Sequence, residues 1–173
     1  MIIPKRFENA KYEDVPKNIQ NLIKDIKESR RGIYIYGTCG TGKTHISYAI
    51  AKKIEDEKFK VQFWSLPELL RFFKRDFDEL NKLKDFQNSN FIQIMNYKGI
   101  LIIDDIGVEK MSEWVEETLY AIINKRYEDV LPTIFTSNNS PEELITRLGD
   151  RIVSRIVGSC DIIELSGKDK RLN

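Results

Sequence analysis

The feature that most constrains this chain is the octapeptide Gly37-Thr38-Cys39-Gly40-Thr41-Gly42-Lys43-Thr44. It fits G-x-x-x-x-G-K-[ST], in which every fixed position has a physical task. Glycines let the backbone curl until its N–H groups converge on one anion. A helix starting at the end of the loop adds the positive end of its dipole. Lys43 is placed to reach the β- and γ-phosphates of a nucleoside triphosphate, and the Thr44 hydroxyl to ligate Mg²⁺. The flanks agree. Gly32-Ile33-Tyr34-Ile35-Tyr36 is β-branched and aromatic and reads as a buried strand. Ile46, Ala49, Ile50 and Ile54 then recur at helical spacing. A glycine-rich turn that merely carries a lysine needs neither flank. His45 follows the motif and is counted with the nucleotide-contacting stretch, with no chemistry assigned to it.

A second stretch completes a nucleotide site. Ile100-Leu101-Ile102-Ile103-Asp104-Asp105 is an unbroken apolar run ending in two carboxylates. Such a run reads as a strand buried on both faces of a parallel sheet, and ligands of open α/β sheets bind at the C-terminal strand ends. Asp104 is the candidate for the Mg²⁺ shell and Asp105 for the carboxylate that activates water. The competing reading is a strand-end turn with two capping aspartates.

Composition narrows the setting. The chain has 173 residues, 41% hydrophobic and 32% charged, with a formal net charge of +1. That is one domain with a substantial core and no global pull toward nucleic acid or a membrane surface. The expected division is an N-terminal segment and helix over 1–31, a core over 32–166 and a basic tail over 167–173. Cys39 and Cys160 have no metal spacing, and a disulfide at Cys39 would obstruct the loop, so a reducing cytoplasm is expected. No apolar run reaches membrane-spanning length.

Along the rest of the chain, residues 1–19 are mixed and expected to lie extended across the domain. Helices are expected from Asn18 to Ser29, closed by Arg30-Arg31-Gly32, and from Lys43 to a charged run at Glu55. A strand follows at 60–65. Beyond it Ser65 should cap a long helical region. Leu69, Leu70, Phe73, Phe77 and Leu80 form its apolar face, and Arg71, Lys74, Arg75, Lys82 and Lys84 are interleaved with acids on the other. That second face is either a solvated surface or a basic strip for a nucleic-acid backbone. Ser112 should cap a helix whose inner side includes Val115, Leu119, Ile122, Ile123 and Tyr127. A strand over 132–137 ends at Asn138, and Ser140-Pro141-Glu142-Glu143 reads as a capping box. Asp150 should cap a last helix, stopped by Gly158, with Ile152, Val153, Ile156 and Val157 inward. Arg151 and Arg155, four apart, share its outer face. A final strand spans 161–165.

The motif order resembles that of AAA+ ATPases. In detail it is similar to bacterial helicase loaders of the DnaC/DnaI type and to IstB-type transposition ATPases. Gly42-Lys43-Thr44-His45, Ile102-Ile103-Asp104-Asp105-Ile106-Gly107, Phe135-Thr136-Ser137-Asn138, Gly149 to Ile156 and Glu164-Leu165-Ser166-Gly167 carry the likeness. It implies a three-layer α/β P-loop NTPase with a five-stranded parallel sheet, ATP or ADP with Mg²⁺ as cofactors, and ATP hydrolysis that is slow alone. Asn138 would be the sensor that positions water. Arg155 would be the arginine finger inserted into a neighbouring subunit's site, with Arg151 its accessory. Implied partners are further copies of the chain, a hexameric replicative helicase, single-stranded DNA and a replication initiator. Within these residues neither a C-terminal helical lid nor an N-terminal helicase-binding domain is expected, so the chain is either part of a longer protein or a free-standing ATPase module, and Lys170 stands where loaders often have an aromatic. A transposition helper acting on duplex DNA, a non-hydrolysing nucleotide switch and a small-molecule kinase are the alternatives.

Overall fold

A computed structural model describes residues 1–83, 89–108, 111–167 and Asp169, with the backbone alone over 78–83. Five strands, β1 (Gly32–Tyr36), β2 (Val61–Ser65), β3 (Ile100–Asp104), β4 (Thr133–Ser137) and β5 (Cys160–Glu164), form one sheet in the order β2-β3-β4-β1-β5. Every neighbouring pair is parallel. A parallel sheet needs cover on both faces, and the alternation of side chains divides the strands between two cores. Ile33, Ile35, Ile100, Ile102 and Ile134 face α1 (Lys17–Ser29) and α2 (Lys43–Asp56), meeting Ile19, Ile26, Ile46 and Ile50. Tyr34, Leu101, Ile103 and Phe135 face the other way. There they meet α3 (Leu66–Leu83), α4 (Asn90–Met95), α5 (Glu113–Glu128), α6 (Pro141–Leu148) and α7 (Asp150–Ser159). The result is the expected three-layer sandwich with a five-stranded parallel sheet. Among the described residues no helix follows β5, and Lys170 lies outside them.

Several local expectations are corrected. Residues 1–16 are not extended but carry two 3-10 turns, Lys5–Phe7 and Tyr12–Asp14. Phe7 stacks on Tyr48 and Tyr48 on Phe63, with centroids 4.7 and 4.0 Å apart. Lys52 Nζ donates to the carbonyls of Phe7, Glu8 and Ala10, so one ammonium ties three backbone acceptors of the segment to α2. α1 ends on Arg30 in the left-handed region (φ 56), while Gly32 already belongs to β1. The long helical region is two helices, joined where Asp76 accepts from Asn90 Nδ2 and the Phe91 N–H. Ser65 Oγ donates to Glu68 Oε2. Ser112 and Ser140 cap α5 and α6 as their spacing implies, the latter with Glu143 in a reciprocal box. Asp150 is the first residue of α7 and Gly149 its N-cap, and the helix runs past Gly158 to Ser159. Val157 and Tyr127 are exposed rather than inward. The stripe of α7 is used up by Ile152, Val153 and Ile156, and Tyr127 lies at the end of α5, across the surface of Gly158.

Arg126 holds the lower end of the sheet together. Only 2% exposed, its guanidinium donates to the Thr133 hydroxyl and to the carbonyls of Tyr97, Gly99 and Pro132. Burial pushes its pKa down to about 10, yet it stays a cation because four acceptors replace its hydration. Truncation removes all four of these hydrogen bonds from a largely buried site. Arg126→Ala is therefore expected to lower the unfolding free energy by about 3–5 kcal/mol. Denaturant unfolding of this variant beside Val157→Ala, which should change stability by less than about 1 kcal/mol, checks the assignment.

Candidate nucleotide site

The strand order creates the site. β4 lies between β1 and β3, so the glycine loop after β1, the two carboxylates after β3 and the end of β4 open onto one edge. The octapeptide joins β1 to α2. Gly40 and Gly42 adopt φ values of 82° and 100°, which strain any residue with a Cβ. At Gly37 a Cβ would run into the backbone carbonyl of Leu165, whose own N–H bonds Tyr36 O at 2.6 Å. The stretch after β5 is thus built against the loop, and the Asp169 carboxylate lies beside Gly40. Thr41 Oγ1 donates to Thr38 O, and Lys43 Nζ to Gly37 O and Thr38 O at 2.7 and 2.9 Å.

Asp104 is 5% exposed and uses both oxygens. Oδ2 accepts from Thr44 Oγ1 at 2.9 Å and Oδ1 from Thr136 Oγ1 at 2.6 Å. Asp105 sits in the left-handed region (φ 64), its N–H bonded to Thr136 Oγ1 at 2.8 Å, and Asn138 Nδ2 donates to its Oδ1 at 3.3 Å. Asp105, Thr136 and Asn138 line a cleft of about 670 Å³, together with Cys39, Gly40, Gly42, Lys43, Thr44 and His45, and Asp104 lies behind its wall, bonded to Thr44 and Thr136. Thr44 and Asp104 present adjoining hard oxygen donors, the set that suits Mg²⁺, which takes few protein ligands and fills its octahedron with water and phosphate oxygens.

Three residues of the N-terminal segment, Arg6, Phe7 and Asp14, line the same cleft. Asp14 Oδ2 is 2.9 Å from His45 Nε2, and that contact holds its pKa below the ordinary value. Neither these residues nor Thr136 figured among the sequence candidates. Thr136 had a signal, since residues two apart on a strand share a face and Asn138 was already implicated. Arg6 and Asp14 had none, because their approach depends on the 3-10 turns packing over α2.

Arg151 and Arg155 do not reach this cleft. Arg155 Nη2 donates to Tyr120 OH at 2.9 Å and Nη1 to Arg151 O at 2.7 Å, while Nε bonds Asn124 Oδ1. Both guanidinium groups lie over the Tyr120 ring, 4.4 and 4.7 Å from its centroid. The two arginines form one aromatic-backed patch on the α5–α7 face. Lys74 and Arg75 share a groove of about 570 Å³ with Arg71, Trp64, Glu68 and Phe72. Lys84 and the side chain of Lys82 lie outside the described residues. Neither Cys39 nor Cys160 is in a disulfide; burial raises the Cys160 thiol to about 12.

The sequence pattern of the family described as IstB-like ATP binding protein matches residues 5–173, which takes in the loop, both carboxylates and the arginine patch. The chain belongs to the IstB-like ATP-binding protein family. It is 29% identical over 170 residues to the replicative helicase loader DnaI of Bacillus subtilis (strain 168), a match covering 90% of this chain and 53% of that protein. The chain thus spans about half the length of that relative. The crystal structure of the DnaC helicase loader is 26% identical, covers 94% of this chain and all of its own, and superimposes with a TM-score of 0.80. The replication initiator DnaA bound to AMPPCP and single-stranded DNA shares the fold at a TM-score of 0.74 and 21% identity, over 97% of this chain and 52% of that one. This IstB-like chain therefore has the P-loop AAA+ architecture, with ATP binding as its family trait.

Burial raises the Asp104 pKa above the ordinary carboxylate value, opposed by the hydrogen bonds from Thr136 and Thr44. An acid whose pKa rises on folding holds its proton more tightly in the folded state. The nucleotide-free fold then loses stability as pH rises from the ordinary carboxylate value through the raised one. Asp104→Asn is expected to melt no lower than the wild type at neutral pH without ligand. It should lose the roughly 2.7 kcal/mol that a ligand at a hundred times its Kd supplies, here Mg²⁺ with ATP. Scanning calorimetry with and without that pair reads both effects.

Proposed function

We propose that this IstB-like chain binds and hydrolyses ATP with Mg²⁺ and acts in DNA replication as a loader of a hexameric replicative helicase, engaging single-stranded DNA. The observation that carries the reading is the convergence of Lys43, Thr44, Asp105 and Asn138 on one cleft, with Asp104 bonded to Thr44 directly behind it. In this reading the loop N–H groups and Lys43 hold the phosphates, and Thr44 and Asp104 hold Mg²⁺, which when bound neutralises charge on the transferred phosphoryl group. Asp105 takes a proton from the attacking water, with Asn138 fixing the orientation of its carboxylate. Phe7 and Arg6 line the same cleft.

Arg155 then belongs to a neighbour's site. It is bonded on the α5–α7 face and does not line its own cleft. An arginine supplied in trans makes hydrolysis depend on assembly. Trp64, Phe72, Arg71, Lys74 and Arg75 combine a stacking surface with cations, the chemistry of a single-strand groove. The loader reading also rests on likeness to proteins named as helicase loaders. The family description favours one second reading, a transposition helper of the IstB kind that acts on duplex DNA. No helix among the described residues is long and apolar enough to cross a membrane, and a replication role would place the chain in the cytoplasm.

ATP turnover per protomer across protein concentrations, with single-stranded or duplex DNA, tests the reading. The expected result is a rate that climbs with concentration and with single strands, and that falls about a hundredfold or more in Arg155→Ala. Reversal of Arg71, Lys74 and Arg75 should flatten the salt dependence of single-strand affinity. Preferential stimulation by duplex would select the transposition reading. A flat rate indifferent to DNA and to Arg155 would overturn both.

A further inference from the structure

We infer that Thr136 is a positioning residue that aims Asp104 and Asp105 into one site, an inference that rests on the ATPase reading only for its kinetic consequence. On an extended strand, consecutive side chains point to opposite faces. Asp104 continues the face of Ile100 and Ile102, toward α2 and Thr44. An extended Asp105 would continue the face of Leu101 and Ile103, away from α2. Two adjacent carboxylates serve one cleft only if the chain leaves the β conformation between them. It does so at Asp105, with φ 64.

Thr136 is what holds that turn. The β3–β4 register runs through Ile103 and Phe135, so Thr136 lies opposite the point where β3 breaks away. Its hydroxyl has one proton, given to Asp104 Oδ1 at 2.6 Å, and a lone pair that accepts the Asp105 N–H at 2.8 Å. Its carbonyl accepts the next amide, that of Ile106, at 2.8 Å. With Oδ1 taken, Asp104 has Oδ2 to present to Thr44 and a metal. With its N–H anchored, Asp105 turns its carboxylate outward to Asn138. Thr136 is only 1% exposed. Valine has threonine's shape and lacks both hydrogen-bonding functions; serine has both functions without the methyl group.

The test uses Thr136→Val and Thr136→Ser in the full chain, with thermal melts to show that each folds. Hydrogen exchange at the Asp105 amide in the nucleotide-free protein reads the geometry alone. Exchange should be faster by about tenfold or more in Thr136→Val and close to wild type in Thr136→Ser. With ATP, Thr136→Val should lose about tenfold in kcat and most of the Mg²⁺-dependent gain in nucleotide affinity. It should keep the Mg²⁺-free affinity supplied by the loop, and serine should restore the rest. Unchanged Asp105 exchange in Thr136→Val, or a serine variant as impaired as valine, would overturn the inference. A wild-type chain that binds no nucleotide would overturn the ATPase reading instead, and the exchange arm would still decide the role of Thr136.

Discussion

A buried carboxylate with both oxygens engaged ties the molecule together. Asp104 is desolvated at the end of β3, and burial raises its pKa above the ordinary carboxylate value. Hydroxyls from two other elements, Thr44 at the start of α2 and Thr136 on β4, offset part of that cost. Their bonds lock the loop, β3 and β4 into one geometry. This is local instability kept because the surrounding sheet over-determines it, the arrangement expected where a site must be rigid before its ligand arrives.

The sheet order explains how such a carboxylate can be tolerated. Inserting β4 between β1 and β3 brings the loop and the Asp-Asp turn to either side of one strand end. Two independent apolar layers clamp the sheet, and Arg126 satisfies the carbonyls at its opposite end. The energetic investment sits in those cores, which leaves the cleft polar and open to ligand. The N-terminal turns add a third wall, held by the Phe7–Tyr48–Phe63 column and by Lys52.

The arginine patch on α7 has a different logic. Arg155 spends its donors on Asn124, Tyr120 and a backbone carbonyl, and shares the Tyr120 ring with Arg151. Two like charges lie close because an aromatic face and several acceptors stabilise both. A guanidinium already fixed loses little rotamer freedom when an anion docks on it, which would suit the in-trans role proposed for Arg155.

The sequence alone determined what is local or periodic. A glycine loop between a β-branched strand and an amphipathic helix has one structural meaning, and an apolar run ending in two acids has nearly as narrow a one. The caps at Ser112 and Ser140 were equally readable, because each depends on residues within a few positions of one another. The tertiary structure decided what depends on distant elements. Nothing near residue 6 or 14 in the chain places Arg6 and Asp14 in one cleft with the glycine loop. The turn at Asp105 requires a hydroxyl thirty-one positions away, and the exposure of Val157 and Tyr127 follows from where neighbouring helices end. Spacing names the groups that can do chemistry, while packing settles which of them share a cleft.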